Sequence, residues 1–363
     1  MYFHTSLTLG SAALLAVSVV ASPVHQQDVV KDLQERAIAA LKENTVNTVK
    51  GSSSCNVFNA HVRKDWAIMT SVERKAYTKA VKCLLGKPSK SDPKVVPGAK
   101  SRWHRYFVWS YETALREECH YEGYQPYWDW FSYQSNPAKS PVFDGSDTSM
   151  GGDGAFAAHN GSVSGAGNIF LPSGKGGGCI TSGPFKDMTV NLGPISPAMD
   201  GMTKVPSTFA WNPRCLRRDL SAYTAESWLT TTNLLNITTG PAARTIETFQ
   251  NELQGRFADG FLGMHAAGHY VLGGDAADLY SSPVDPAFFL HHAMLDRVWW
   301  MWQALHLPQA FTIAGTITIL NRPPSRNTTL EDPIYMGQSN APVRPISELL
   351  NTLGGEPFCY IYL

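Results

Sequence analysis

Apolar residues recur at helical spacing in several stretches of the chain. Near the N-terminus, residues three or four positions apart are apolar, as on one face of an amphipathic helix: Val30, Leu33, Ala37 and Leu41. The Gly-Ser run at 51–54 breaks this pattern. We therefore expect residues 26–49 to form a short amphipathic helix or to belong to a propeptide.

Two further helices are predicted in the first third of the chain. The stretch Ser71–Leu85 opens on an imperfect capping-box pattern, Ser71-x-x-Arg74. From about Trp103 to Tyr121, aromatic residues and leucine repeat every four positions, and Gly123 follows as a stop signal. The segment 87–100 between them is polar and rich in proline, which predicts a loop.

The clearest helix signal lies in the second half of the chain. Asp285 is suited to the N-cap and Pro286 to the first helical position, and apolar residues continue to Trp302. Residues 242–270 are helical in parts, whereas 132–184 is rich in Gly, Ser, Asp and Asn and predicts a long ordered surface loop. The pattern as a whole predicts a mainly α domain with long irregular loops.

The first 22 residues have the features of a secretory signal peptide. They contain no Lys, Arg, Asp or Glu, and an apolar run at 14–20 is followed by the small residues Ala21 and Ser22. The alternative, a membrane anchor, is disfavoured because the apolar run is too short to span a bilayer. We expect a secreted protein that is free of the membrane after cleavage.

Composition narrows the function classes and agrees with an oxidising compartment. Thirty basic and thirty acidic residues leave no net charge, which argues against nucleic acid as a partner. The six cysteines have no CxxC pair, so up to three disulfides are favoured over a zinc site and the pairing stays open. Glycosylation sequons occur at Asn160, Asn236 and Asn327.

Histidine spacing supplies the candidate chemistry. On a helix, His265 and His269 lie on one face and can share one metal, although two structural histidines have the same spacing. His291 and His292 follow on the next predicted helix and point about 100° apart, so one can face a metal while the other does something else. Imidazoles without an acidic ligand favour copper, zinc or iron.

The motifs around these histidines resemble those of the tyrosinase and catechol oxidase family. WHRYFVWSYETALREEC with GYQPYWDW is similar to the first copper motif of that family, and GMHAAGH with DPAFFLHHAMLDRVWWMWQ to the second. The resemblance runs from about Cys55 to Leu363 and is to the short secreted fungal type, which lacks a C-terminal shielding domain. With the signal segment, it gives the expected organisation: a signal peptide at 1–22, a propeptide or linker at 23–54, and a copper-binding domain at 55–363.

The resemblance implies a four-helix bundle around a type 3 dicopper centre with three histidines per copper. The second copper would be held by His265, His269 and His292. His104, which alone reads as a packed core histidine, would be the last ligand of the first copper. Three neighbours would orient ligands and lock the helix: His291, Asp296 and Arg297.

The chain departs from the family pattern at the first copper. Two further histidines are expected upstream of His104, near Val95 and Lys87, yet the segment KPSKSDPKVVPGAK holds none. A segment is therefore absent between Arg102 and Trp103. The other histidines do not fit the ligand positions: His4, His25, His61, His120, His159 and His306.

Two hypotheses follow from this deficit. In the first, the protein is a copper oxidase and the gap is an artefact of gene modelling or splicing. In the second, it is a degenerate relative that binds one copper or none and does not activate dioxygen. An oxygen carrier of the haemocyanin type is the non-enzyme alternative, which the size and the secretion signal disfavour.

Two positions bear on the substrate, again through the resemblance. Relatives that hydroxylate monophenols use a Glu that holds a water and an Asn after the first histidine of the second site. Gln254 and Ala266 match these positions, and neither side chain can take that role. We therefore expect o-diphenols or o-aminophenols, such as a phenolic secondary metabolite, to be oxidised to quinones with O2.

Overall fold

The computed structural model describes residues 23–48, 55–87, 104–164, 169–207, 210–318, 321–337 and 341–363. The predicted signal segment and most of the predicted loop 87–100 lie outside these ranges. The helices are α1 (Pro23–Thr48), α2 (Ser71–Leu85), α3 (His104–Cys119), α4 (Ala222–Trp228), α5 (Thr231–Thr238), α6 (Ile246–Gln254), α7 (Gly263–Leu272) and α8 (Ala287–Leu305). Helices dominate the regular structure, which confirms the mainly α fold.

The strands are short and pair two at a time within the described ranges. They are β1 (His61–Arg63), β2 (Gly154–Phe156), β3 (Ser162–Ser164), β4 (Ile169–Leu171), β5 (Gly177–Ile180), β6 (Thr189–Val190), β7 (Arg214–Cys215), β8 (Pro333–Ile334), β9 (Arg344–Pro345) and β10 (Tyr360–Tyr362). β1 and β10 are parallel, and the pairs β2–β5, β3–β4, β6–β7 and β8–β9 are antiparallel. Two of these ladders lie in 132–184, so the segment expected to be one long loop contains four short strands.

Helix α8 lies at the centre of the packing. It contacts α1, α3, α5 and α7, and nearly all of its side chains are buried. A helix that is apolar on all sides is typical of a core position. The helix begins at Ala287 with Pro286 at the N-cap, one residue later than predicted. The Asp285 side chain still accepts a hydrogen bond from the Ala287 amide at 2.9 Å. Helix contacts run in the series α2, α3, α8, α7; the four-helix bundle itself stays a prediction.

The N-terminal segment forms the amphipathic helix that the apolar spacing predicts. Helix α1 packs against α8 and buries Val30, Leu33 and Ala37. Gln34, on the same side of α1, accepts a hydrogen bond from Arg297 of α8 at 3.1 Å. The helix is thus part of the packed domain in this structure.

Three disulfides account for the six cysteines. Cys55 pairs with Cys359, which joins the segment before β1 to the residue that precedes β10. Cys83 pairs with Cys119 and so links α2 to the end of α3. Cys179 pairs with Cys215, which connects β5 to β7. The prediction of up to three disulfides is confirmed.

The capping box at the start of α2 differs from the predicted one. The capping box of α2 is formed by Thr70 and Glu73, one residue before the predicted Ser71-x-x-Arg74 pattern, because Glu73 can reach back to the Thr70 amide and arginine has no acceptor.

Within the described ranges, no helix combines the length and the apolar character that crossing a bilayer requires.

Candidate metal centre

Four histidines from two packed helices converge in the interior. His265 and His269 lie one turn apart on α7, and His291 and His292 are adjacent on α8. One nitrogen from each imidazole lies within 4.8 Å of the others. Among the described residues, these four form the one group of three or more His, Cys, Asp or Glu side chains that can meet at a metal ion.

Nδ1 of each α7 histidine, the ring nitrogen that points away from the cluster, lies within hydrogen-bond distance of an oxygen. His265 Nδ1 lies 2.7 Å from Gln254 Oε1, and His269 Nδ1 lies 2.9 Å from the carbonyl oxygen of Ala276. Both acceptors fix Nδ1 as the protonated nitrogen and leave Nε2 with its lone pair for a metal. Metal-binding histidines usually have their second ring nitrogen hydrogen-bonded in this way.

His291 and His292 point to different partners, as adjacent helical positions should. His292 Nε2 lies 3.1 Å from His269 Nε2, whereas His291 Nε2 donates to the carbonyl oxygen of His265 at 3.0 Å. The His291 ring also packs beside Trp130, with ring centres 5.2 Å apart. The contacts of His291 therefore support α7, and those of His292 place it with the candidate ligands.

The donor set suits copper. Burial lowers the pKa of His269 to about 4, so its imidazole is neutral at pH 7 and can act as a ligand. Two imidazole nitrogens that bind one metal at about 2.0–2.1 Å lie about 3.3 Å apart at a tetrahedral angle. The 3.1 Å between His269 Nε2 and His292 Nε2 is close to this value. Neutral imidazoles without a carboxylate favour copper over harder metals.

Asp296 is the centre of a buried charge network behind α8. It accepts hydrogen bonds from Arg63 at 3.2 Å and from Arg105 at 2.5 Å. The hydroxyls of Tyr360 and Tyr362 each donate to it at 2.6 Å. Burial opposes its charge, yet Arg105 and Arg63 hold the pKa of Asp296 below its ordinary value. The network ties α3, α8 and the strands β1 and β10 together.

The structure separates the roles that the resemblance gives to Asp296 and Arg297. Arg297 bonds Gln34, and its guanidinium carbon lies 4.7 Å from the centre of the Tyr127 ring. Its contacts thus lie at the α1–α8 interface, while those of Asp296 lie towards α3 and β10. Asp296 contacts α3 and β10, and Arg297 contacts α1. Their role in orienting the ligands and locking α8 stays a prediction.

The first copper site cannot be built from the described residues. His104 is the first residue of α3, and its side chain lies outside the described part of the structure, so its role as a ligand stays a prediction. The segment 88–103 is likewise outside. His61 stacks on Tyr124, His306 bonds the carbonyl oxygen of Thr238, and His159 lies 3.0 Å from Asp219.

The two predicted substrate-selecting residues lie next to the histidines. Gln254 is the last residue of α6 and contacts His265 directly. Ala266 follows His265 on α7 and is partly buried against the core. The sequence resemblance aligned Gln254 with a water-holding Glu and did not predict its contact with His265. That contact depends on how α6 packs against α7.

The three sequons lie in different environments. Asn160 and Asn327 are exposed. Asn236 lies on α5, half-buried, with its amide nitrogen 3.1 Å from Glu252 Oε1, and Thr238 of the same sequon is fully buried. Exposure favours Asn160 and Asn327 as glycosylation sites.

Comparison with known proteins gives the class to which this fold and site belong. Residues 101–305 match the family model described as the common central domain of tyrosinase. The match spans more than half of the chain and includes both helices that carry the histidine cluster. The chain therefore belongs to the tyrosinase family, whose members are type 3 copper proteins.

Individual relatives narrow the class to oxidoreductases of the tyrosinase and catechol oxidase type. Tyrosinase P of Aspergillus terreus is 35% identical over 333 residues, covering 83% of this chain and 91% of the relative. N-acetyl-6-hydroxytryptophan oxidase of Emericella nidulans is 33% identical over 369 residues, covering 90% and 98%. A polyphenol oxidase variant from Thermothelomyces thermophila superposes with a TM-score of 0.84 at 37% identity, covering 93% of this chain and 98% of that one.

Proposed function

We propose that the protein uses copper and dioxygen to oxidise o-diphenols or o-aminophenols to quinones. Each diphenol loses two electrons and two protons, and one dioxygen takes the electrons of two diphenols and becomes two waters. The observation that carries the proposal is the convergence of imidazole nitrogens from α7 and α8 within 4.8 Å. The bound copper supplies the electron transfer to dioxygen; the protein supplies ligands and orientation.

Three side chains hold the second copper in this proposal: His265, His269 and His292. Neutral imidazoles bind both oxidation states of copper. His292 is buried, and His265 and His269 are partly buried. His291 supports them through the carbonyl oxygen of His265. Asp296 and Arg297 act further out by fixing the position of α8.

The reaction is tested by dioxygen uptake with an o-diphenol such as catechol. We expect uptake by the copper-loaded protein and none by the metal-free form or by His269→Ala. Uptake that persists in folded His269→Ala would contradict the assigned site.

Oxidation of diphenols is favoured over hydroxylation of monophenols because of Gln254 and Ala266. The Gln254 amide cannot act as a carboxylate base, and its oxygen is held by His265. The Ala266 side chain has no group that binds water. In a dicopper form, the double variant Gln254→Glu/Ala266→Asn should gain activity towards a monophenol. An unchanged ratio of monophenol to diphenol oxidation would count against this assignment.

The relatives support a proposal for the substrate class. One is described as an oxidase of N-acetyl-6-hydroxytryptophan and another as a tyrosinase-like protein, both from Emericella nidulans. A phenolic secondary metabolite, such as a polyketide or pigment precursor, is the substrate class that we propose here. Assays with a panel of o-diphenols and o-aminophenols would rank the candidates.

The deficit of histidines at the first copper has a direct test. The family match and the relatives favour an oxidase over a degenerate protein, and with it a transcript that carries the additional segment. An uninterrupted message from Arg102 to Trp103 would refute this explanation. In that case, copper analysis separates a complete centre, with about two coppers per chain, from an incomplete one with one or none.

Secretion is part of the proposal. It rests on the uncharged apolar segment 1–22, the three disulfides and the two exposed sequons. Expression in a secreting host should yield protein in the medium that starts near residue 23. N-terminal sequencing and deglycosylation followed by mass measurement would check the cleavage and the glycans.

A further inference from the structure

The ends of α6 and α7 approach each other through two glycines. Gly255 follows α6 with φ +106°, and Gly263 opens α7 with φ +70°. A Cβ on Gly255 would collide with the backbone of Leu262, and a Cβ on Gly263 would collide with the backbone of Gln254 and Gly255. Only glycine allows this contact, and it places the last side chain of α6 beside the first histidine of α7.

The backbone that carries Gln254 is well anchored. Thr245 and Thr248 form a capping box at the start of α6, and Phe249 and Leu253 are buried. Glu252 bonds the amide nitrogen of Asn236 on α5 at 3.1 Å. The position of Gln254 is therefore set by the fold and does not depend on its contact with the histidine.

The chemistry of the contact fixes the state of the imidazole. Gln254 Oε1 lies 2.7 Å from His265 Nδ1, and an amide oxygen can only accept a hydrogen bond. His265 Nδ1 must then carry the proton, and Nε2 keeps its lone pair. His269 gains the same preference from the backbone carbonyl of Ala276, which no side-chain substitution removes. His265 alone of these two depends on a side chain.

We propose that Gln254 is a positioning residue for the second copper. It holds His265 in the Nδ1-protonated tautomer and in the ring orientation that directs Nε2 towards the metal. Polar partners of this kind typically change metal affinity about 10–100-fold when removed. The inference rests on the proposed binding of copper by His265, His269 and His292, and it adds a role for Gln254 that is separate from substrate choice.

The test compares variants that remove or keep the acceptor. Gln254→Ala removes it, Gln254→Met removes it while keeping the length of the side chain, and Gln254→Glu keeps an acceptor at the same place. Gln250→Ala is the matched control, because Gln250 lies one turn earlier on α6 and is half-buried. Copper affinity is measured by competition with a chelator of known affinity, and unfolding in urea is measured on the metal-free proteins.

We expect Gln254→Ala and Gln254→Met to bind copper about 10–100-fold more weakly than wild type. Gln254→Glu should bind copper at least as tightly as wild type, because a carboxylate accepts the same bond and raises the basicity of the ligand. Gln250→Ala should remain within about a few-fold of wild type, since Gln250 does not contact His265. In metal-free wild type, ¹⁵N NMR should show His265 protonated at Nδ1, and this preference should weaken in Gln254→Met. The tautomer is a readout that a merely structural role for Gln254 would not move.

The outcomes separate this inference from the function on which it rests. If folded wild type binds no copper, the proposed function fails and the positioning role fails with it. If wild type binds copper and folded Gln254→Met binds it equally well, only the positioning role is overturned. If Gln254→Ala does not fold, the copper affinities of Gln254→Met and Gln254→Glu decide. Weaker copper binding by Gln254→Met than by Gln254→Glu supports the positioning role, and equal binding overturns it.

Discussion

At the scale of single residues, Gly268 gives the histidine cluster room to form. A Cβ on Gly268 would overlap the His291 ring, so α7 and α8 can approach this closely only with glycine there. The His291 ring then reaches the carbonyl oxygen of His265 at 3.0 Å. The absence of a side chain at Gly268 thus allows α8 to contact α7 between its two histidines.

Gly268→Ala is expected to displace His291 and to reduce both stability and copper binding. Overpacking of this kind costs about 1–3 kcal/mol of unfolding free energy. Gly86→Ala is the control, since its added Cβ would lie 3.5 Å from the nearest atom, an ordinary contact. Urea unfolding and copper content check the prediction, and equal stability of the two variants would contradict it.

Asp65 makes stability depend on pH. Burial, reinforced by the charge of Asp129 and opposed by the Ala67 amide and Arg297, raises the pKa of Asp65 to about 7. The folded state then binds more protons than the unfolded state between about pH 4 and 7, so this group lowers stability as pH rises. The titration of Asp65 changes the free energy of unfolding by up to about 1.4 kcal/mol per pH unit.

Asp65→Asn keeps an oxygen that can accept the Ala67 amide bond, which is 3.1 Å in the wild type, and removes the titration. We expect the variant to be more stable than wild type at pH 8 and to differ least at pH 4. Urea unfolding across this range measures the difference. A stability difference that does not change with pH would refute the raised pKa.

At the scale of elements, α1 packs against α8. Leu33→Ala should cost about 2–5 kcal/mol, because Leu33 is fully buried against the domain. Glu35→Ala is the control on the same helix, with a side chain that is 66% exposed, and should change stability by less than about 0.5 kcal/mol. Equal stabilities in urea would show that α1 acts as a detachable propeptide.

The Cys55–Cys359 disulfide should stabilise the domain more than Cys83–Cys119. It closes a sequence separation of 304 residues, against 36 for the other, and a longer loop loses more entropy in the unfolded chain. Cys55→Ala/Cys359→Ala should lose about 2–5 kcal/mol. Unfolding of both double variants in urea compares them, and a larger loss for Cys83→Ala/Cys119→Ala would be the opposite result.

The elements found from the sequence are those with strong local signals. Helix α8 follows from Asp285, Pro286 and a long apolar run, and the α7 histidines from a four-residue spacing. Strands of two to four residues are too short to show alternation, so the ladders in 132–184 were not predicted. The bonds of Gln254 to His265 and of Arg63 to Asp296 depend on tertiary packing, which no local pattern encodes.

At the scale of the whole molecule, the two expected copper sites differ in how many histidines support them. The proposed second copper rests on the convergence of His265, His269 and His292, and on the hydrogen bonds at Nδ1 of His265 and His269. The first has a single candidate, His104, in the sequence. The chain of the tyrosinase family thus has a histidine cluster that fits the proposed second copper, whereas its sequence offers one histidine for the first.

Copper per chain in the full-length protein is the most direct test of the central claim, that α7 and α8 hold copper. After loading and removal of excess metal, the account predicts at least one copper per chain, and one fewer in His269→Ala. Folded wild-type protein that retains no copper, or a His269→Ala variant that retains as much as wild type, would contradict it.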